Sequence, residues 1–312
     1  MSELEISFII PCKNEANMIK RTVDSIVKVC NGLCVEIIVC DNESTDDTEK
    51  VASSLGDNVV YLYSKAVTVA GVRNEGASIS YGKILVFVDA DTVLGDSWKS
   101  GYYALLNKNT INTNWFSGSH VLEPKDEKCF PERWYDDAIP HKKNKYMNSA
   151  HFIVPKITFN LLRGFDENLV SGEDYEFSER LINKGCELQN IRELVAFHYG
   201  YPRNIREFMI RESWHGMGDF SNLGYFLNSK VALISTVFFI LHLFCVIAFF
   251  TGAVDEFIIL AFFTIVIPIA SVIKKFGARP LGAQSRKIAV FYLYFLARFF
   301  SLFRVLAKKY TY

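Results

Sequence analysis

The sequence predicts an α/β domain on a mostly parallel sheet, followed by a C-terminal tail of apolar helices. Three observations carry this. Over the first ninety residues, short β-branched or aromatic runs alternate with helix-like stretches, the pattern of parallel strands joined by helical crossovers. From 231 to 254 no residue is formally charged, and such a run can cross a hydrocarbon core of about 30 Å as a helix. The charge is also unevenly divided. The 312 residues balance 34 Lys+Arg against 34 Asp+Glu, yet 231–312 hold nine basic and two acidic residues, a net +7 that leaves −7 on 1–230.

The first runs are EISFII (5–10), VEIIVC (35–40), VVYLY (59–63) and KILVFVD (83–89), with helices expected near 15–29, 45–55 and 69–81. Half the residues are hydrophobic and 22% are charged, which excludes a disordered, collagen-like or disulfide-scaffold chain. Seven cysteines form no CxxC pair and read as reduced thiols. A nucleic-acid partner is not expected, because 1–230 is net acidic and the basic clusters adjoin apolar spans.

The tail divides at two turns. A first span is expected over 231–254 and a second over 257–273, where Pro268 should introduce a kink. The intervening turn is acidic, with Asp255 and Glu256, whereas Lys274, Lys275, Arg279, Arg286 and Lys287 form a basic loop over 274–287. The positive-inside rule places that loop in the cytoplasm. The opening MSELEISFII lacks the basic n-region of a signal peptide, so residues 1–230 are expected on the same side. The stretch 288–309 carries Arg298, Arg304, Lys308 and Lys309 within one arc. It reads as an amphipathic interfacial helix with its cations toward anionic membrane lipid. The expected domains are therefore 1–230 and 231–312.

Ligands of parallel sheets bind at the carboxyl ends of the strands. Three of these ends are polar: Pro11-Cys12-Lys13-Asn14-Glu15, Asp41-Asn42-Glu43-Ser44-Thr45-Asp46 and Asp89-Ala90-Asp91. The glycine fingerprints GxGxxG and GxxxxGK[ST] are absent, so no glycine cradle holds a phosphate. Carboxylates at i and i+2 after an apolar strand can instead gather a hard divalent cation, which would neutralise a diphosphate. Acidic tripeptides also occur in ordinary turns, and Glu173-Asp174 alone would suit a helix N-terminus.

Taken together, four ordered blocks resemble the family 2 glycosyltransferases, which have the GT-A fold: FIIPCKNE, IIVCDNESTDDT, AGVRNEGASISYGKILVFVDADT and GFDENLVSGEDYEFSERLINKG. The resemblance covers roughly residues 5–200. It implies that Pro11, Lys13 and Glu15 meet the nucleoside of a nucleotide-sugar donor and that Asp41 and Asn42 read the base. It also implies that Arg73 approaches the donor, and that Asp89 and Asp91 hold Mg2+ or Mn2+. Asp174, beside Glu173, matches the catalytic base. Asn42 and Glu43 depart from the family's usual Asp-Gly, which leaves a UDP-sugar only as the default donor. His198 stands where some members place a further metal ligand. Arg211 and Trp214 resemble a segment that closes over donor and acceptor in membrane-bound relatives. His120, His151 and the 115–134 region are weaker candidates for facing the acceptor.

The implied reaction is inverting, metal-dependent transfer of a sugar to a hydroxyl of a membrane-associated, lipid-linked glycan. Two alternatives stand beside it. One is a polyprenyl-phosphate glycosyltransferase, similar to the dolichol-phosphate mannose synthases; its phosphate acceptor would need no general base. The other is a non-catalytic nucleotide-sugar-binding scaffold, against which the retained Asp89, Asp91 and Asp174 argue.

Overall fold

The computed structural model describes residues 5–109, 112–122 and 146–307. These fall into two compact units, one holding the described residues up to 200 and the other those from 201 onward.

The first unit is a mixed eight-stranded sheet with β1 (Ile6–Cys12), β2 (Val35–Asp41), β3 (Val59–Tyr63), β4 (Ile84–Val88), β5 (Thr92–Leu94), β6 (Trp115–Leu122), β7 (His151–Pro155) and β8 (Glu187–His198). Its order is β3-β2-β1-β4-β7-β6-β8-β5. The β3-β2-β1-β4 half is parallel, and β7 then runs antiparallel to β4. Every residue of β1 is buried, which explains why this strand reads as a continuous apolar run and not an alternating one. The helices are α1 (Ile19–Val29), α2 (Thr48–Ala52), α3 (Val69–Ile79), α4 (Trp98–Lys108), α5 (Lys156–Leu161) and α6 (Glu173–Asn183). Helix α1 turns Ile19, Val23 and Ile26 inward, a helical stripe against a core with Phe8, Val86 and Trp98. A second core gathers Phe87, Phe152, Phe159, Phe165 and Phe177, with ring centroids 5.0–6.5 Å apart in tilted and edge-on contacts.

Two consequences position the site. Strands β2, β1 and β4 are neighbours in parallel, so their carboxyl ends lie side by side, as the polar strand ends predicted. The β5–β8 pairing sets Thr92 opposite His198, which carries residue 198 to the turn at 89–91.

The second unit holds α7 (Ile205–His215), α8 (Leu223–Asn228), α9 (Lys230–Thr251), α10 (Val254–Phe276) and α11 (Leu281–Leu306). Three of its helices are long and apolar enough to cross a membrane, over Lys230–Thr251, Val254–Phe276 and Gln284–Leu306. This fits a membrane-anchored protein. Ser229 starts α9 by accepting from the Ala232 amide at 3.1 Å. Helix α10 places Asp255 and Glu256 in its first turn and Lys274 and Lys275 in its last, the arrangement the helix dipole favours. The helix continues through Pro268, so the proline does not end it. Phe238, Phe276, Phe291 and Phe295 pack α9, α10 and α11 together, and His242 of α9 bonds the Tyr292 hydroxyl of α11.

One expectation is corrected. Arg298 was assigned to the lipid headgroups, but it turns onto α7 and pairs with the buried Glu212 at 3.0 Å. Arg304 reaches the Ile210 carbonyl at 3.4 Å. Burial alone would raise the Glu212 pKa, but Arg298, His215 and Arg211 outweigh it and hold the carboxyl below its ordinary value. The Glu212 side chain is 9% exposed, and a carboxylate so buried would be left uncompensated without a cation, so Arg298 is drawn to it and not to the headgroups. Lys308 and Lys309 lie outside the described residues.

Candidate active site

The loops after β1 and β2 are tied together. The Asn14 amide donates to Ser44 Oγ at 2.8 Å, and the Thr45 amide donates to Asn14 Oδ1 at 2.8 Å. The Asn42 amide donates to the Cys12 carbonyl at 2.9 Å. Pro11 is buried at the end of β1, whereas Lys13 projects into solvent and Glu15 is half-buried. Glu43 adopts a left-handed backbone, φ 55°, a conformation that favours glycine. That explains why the glycine usual at this position suits the turn, and why Glu43 is a strained substitute.

Asp41 and Asn42 are both committed to the protein. Asp41 is buried and accepts from the Ser44 amide at 3.0 Å and the Tyr61 hydroxyl at 2.9 Å. Asn42 donates from Nδ2 to the Ala66 carbonyl at 2.9 Å and, more weakly, to that of Ser64 at 3.4 Å. The first of these residues shapes the turn, and the second pins the segment after β3 to it.

Asp89 and Asp91 occupy the tight turn between β4 and β5, which is closed by the Thr92 amide donating to the Asp89 carbonyl at 3.0 Å. His198 Nε2 lies 3.2 Å from Asp91 Oδ1. Asp89, Asp91 and His198 each bring one ligand atom to within 4.8 Å of the others. Two carboxylates and an imidazole so placed suit Mn2+, and Mg2+ through the carboxylates. Glu15 looks into the same charge. Burial, followed by Asp91, Asp89 and Asp46, pushes its carboxyl up to about 7.

Arg73, Glu173 and Asp174 adjoin this cluster. Arg73 was expected at the donor, but it is 3% exposed and donates to Asp89 Oδ1 at 2.6 Å and Glu173 Oε1 at 2.7 Å. Its position is therefore under the site, supporting it. Glu173 and Asp174 are in the first turn of α6. Asp174 accepts from the Ser149 amide at 3.1 Å, and Ser149 Oγ donates to Glu173 at 3.2 Å. Burial first, and then the negative Glu173, raise the Asp174 pKa above the ordinary carboxylate range.

Arg211 and Trp214 belong to the second unit, on α7. The Arg211 guanidinium lies 5.6 Å from the Tyr201 ring centroid, and Trp214 packs edge-on to His215. His151 is a core residue and does not face an acceptor. It is fully buried, accepts from Trp98 Nε1 at 2.8 Å, and contacts Ser119 Oγ at 2.7 Å. Burial lowers its pKa to about 3 and keeps it neutral. Trp115 is also core, and the His120 side chain and residues 123–134 fall outside what is described.

Sequence reasoning missed Ser149 and Gly200. Nothing local marks Ser149; only the β7 end brings it to α6. A Cβ on Gly200 would sit 1.9 Å from Asp91 Oδ2, so the backbone passes too close to the cluster for a side chain. Gly200→Ala should displace Asp91 and weaken Mn2+ binding by about 10-fold or more, the usual cost of disturbing the surroundings of a metal site. A Mn2+ titration followed by electron paramagnetic resonance checks this.

Residues 7–165 match glycosyl transferase family 2, and the chain belongs to that family. Among curated proteins it is 26% identical over 180 residues to a glycosyltransferase of Rickettsia prowazekii (strain Madrid E), covering 55% of this chain and 56% of that one. The chain spans about half the length of the curated relatives it matches. Among solved structures, the mannosyltransferase PcManGT from Pyrobaculum calidifontis, in complex with GDP-Man and Mn2+, aligns with a TM-score of 0.63 at 14% identity. That alignment covers 99% of this chain and 89% of that one. S. aureus TarS 1-349 in complex with UDP-GlcNAc aligns at 0.52 and 15% identity, covering 69% and 66%. At such identities these likenesses establish a GT-A fold.

Proposed function

We propose that this chain is an inverting glycosyltransferase that moves a sugar from a nucleotide-sugar donor to a hydroxyl of a membrane-associated, lipid-linked glycan. The observation that carries the reading is the placement of two carboxylate groups of different character around one buried arginine. Asp89 and Asp91, with His198, form a cluster fit for a divalent cation. Asp174 is a half-buried carboxylate whose raised pKa suits it to accept a proton.

Asp89, Asp91 and His198 would hold Mg2+ or Mn2+, which when bound supplies charge neutralisation for a departing diphosphate. The 11–15 and 41–46 loops would bind the nucleoside. Asp174 would take the proton of the attacking hydroxyl, held in place by the Ser149 amide and the first turn of α6. A phosphate acceptor would need no such base, so Asp174 favours the hydroxyl over a bare polyprenyl phosphate. The solved relatives named above bind a UDP-sugar or a GDP-sugar, which supports a nucleotide-sugar donor with UDP as the default. The catalytic unit and the 274–287 loop would share the cytoplasmic side, with Arg211 and Trp214 near the acceptor and 1–230 forming the catalytic domain.

The test is a panel of nucleotide sugars offered to detergent-solubilised full chain with Mn2+, scored by nucleoside diphosphate release. One arm contains a lipid-linked oligosaccharide and the other a bare polyprenyl phosphate. Release with one donor, stimulated by the oligosaccharide, is the expected result. Transfer to the bare phosphate alone would overturn the acceptor assignment, and no release with any donor would overturn the enzyme.

A further inference from the structure

In the proposed reaction the cation cluster and the Glu173–Asp174 pair have separate roles, one serving the leaving group and the other the acceptor. Here one side chain touches both. The two terminal nitrogens of Arg73 are divided, NH2 to Asp89 at 2.6 Å and NH1 to Glu173 at 2.7 Å. Its Nε is buried without a hydrogen-bond partner, so the guanidinium has no other anchor among the described residues. Arg73 and Glu173 are both about nineteen-twentieths buried or more. An arginine stays charged in any such setting, and water does little to screen it there.

We propose that Arg73 is a positioning residue that couples the two halves of the site, so that a cation at Asp89–Asp91 and the charge on Glu173–Asp174 influence one another. The proposal rests on the metal and base assignments above. One positive charge is shared by two carboxylates. Whatever satisfies Glu173 less leaves more of that charge on Asp89, where it competes with an incoming cation. By linkage, a cation that engages Asp89 releases Arg73 toward Glu173 and lowers the local negative charge around Asp174. The charged groups facing this guanidinium are Asp89 from the β4 turn and Glu173 and Asp174 from α6; Ser149 adds a neutral donor to Glu173. The α3 segment AGVRNEGAS supplies the arginine from a helix that packs on β1 and β2, with Gly76, one turn on from Arg73 along the same face, set against Cys40 and Ile9. The bridge is thus held from a rigid element.

The experiment is a double-mutant cycle on Mn2+ affinity, measured by electron paramagnetic resonance on full chain in detergent without nucleotide. Glu173→Gln should weaken Mn2+ binding at least about three-fold, within the range for residues that share a partner. In an Arg73→Gln background the same change should have little effect. Equal effects in both backgrounds, or none in either, would overturn the coupling. Should Arg73→Gln not fold, Glu173→Gln is compared with Asp174→Asn, which removes a neighbouring charge that makes no bond to Arg73. A larger loss for Glu173→Gln supports the bridge, and equal losses sink it. Wild-type protein that binds Mn2+, loses it in Asp91→Asn and shows no coupling overturns this inference alone. Wild-type protein that binds no Mn2+ overturns the metal assignment and the inference with it.

Discussion

Asp174→Asn should lower kcat by about 10²–10⁴-fold while nucleotide affinity stays within about two-fold, the signature of a lost proton acceptor. The amide keeps the side chain's shape and one acceptor oxygen, which can still take the Ser149 amide at 3.1 Å, while the bond accepted from the Tyr175 amide at 2.7 Å is given up. The ability to take a proton goes as well, and that is the larger loss. The wild-type pH profile should show the same group. A general base must be ionised, and burial together with Glu173 raises the Asp174 pKa. kcat/KM should therefore fall as pH is lowered through a value well above the roughly 3.9 of an ordinary aspartate, and be flat above it. In Asp174→Asn that limb should vanish from the residual activity. Normal turnover in the variant, or a limb near pH 4, would remove Asp174 from the chemistry.

Asp91→Asn should weaken Mn2+ binding by at least about 100-fold, beyond the 10–100-fold that substitutions around metal ligands cost. Two losses combine in this variant. The cluster loses a negative charge, and His198 loses the carboxylate 3.2 Å from its Nε2. Transferase turnover should fall in step with metal occupancy and be partly restored by raising Mn2+. A chelator should abolish turnover of the wild type. Retained Mn2+ affinity in Asp91→Asn, measured by resonance titration without nucleotide, would show that the cation is held elsewhere.

Much of this site was legible from local pattern. The polar ends of β1, β2 and β4 follow directly from apolar runs that stop at Pro11, Asp41 and Asp89, because a strand buried on both faces must end where charge begins. The Asp89-Ala90-Asp91 spacing and the Glu173-Asp174 pair are likewise local. So are the tail spans, since an uncharged run of membrane length needs no partner to be recognised.

The second tier was not legible. Arg73 looks like any arginine of a surface helix. Its burial between Asp89 and Glu173 depends on strand order, which sets α3 beside the β4 turn and α6. Asp41 and Asn42 look like free readers of a ligand, yet Tyr61 and the Ser44 amide bond the Asp41 carboxylate, and the 64 and 66 carbonyls take up Asn42 Nδ2. Arg298 follows the same logic in the tail. Its position in an apolar helix suggested a headgroup contact, and only the packing of α7 on α11 presents Glu212 to it.

The sequence by itself determined the class of fold, the membrane-length helices, and the carboxylates available for chemistry. These properties depend on composition and on spacing within one element. The tertiary structure alone decided which of those charges face an open cluster and which are neutralised beneath it. Pairing energies act between elements a hundred residues apart, as Arg73 and Glu173 are, and no local pattern encodes that distance.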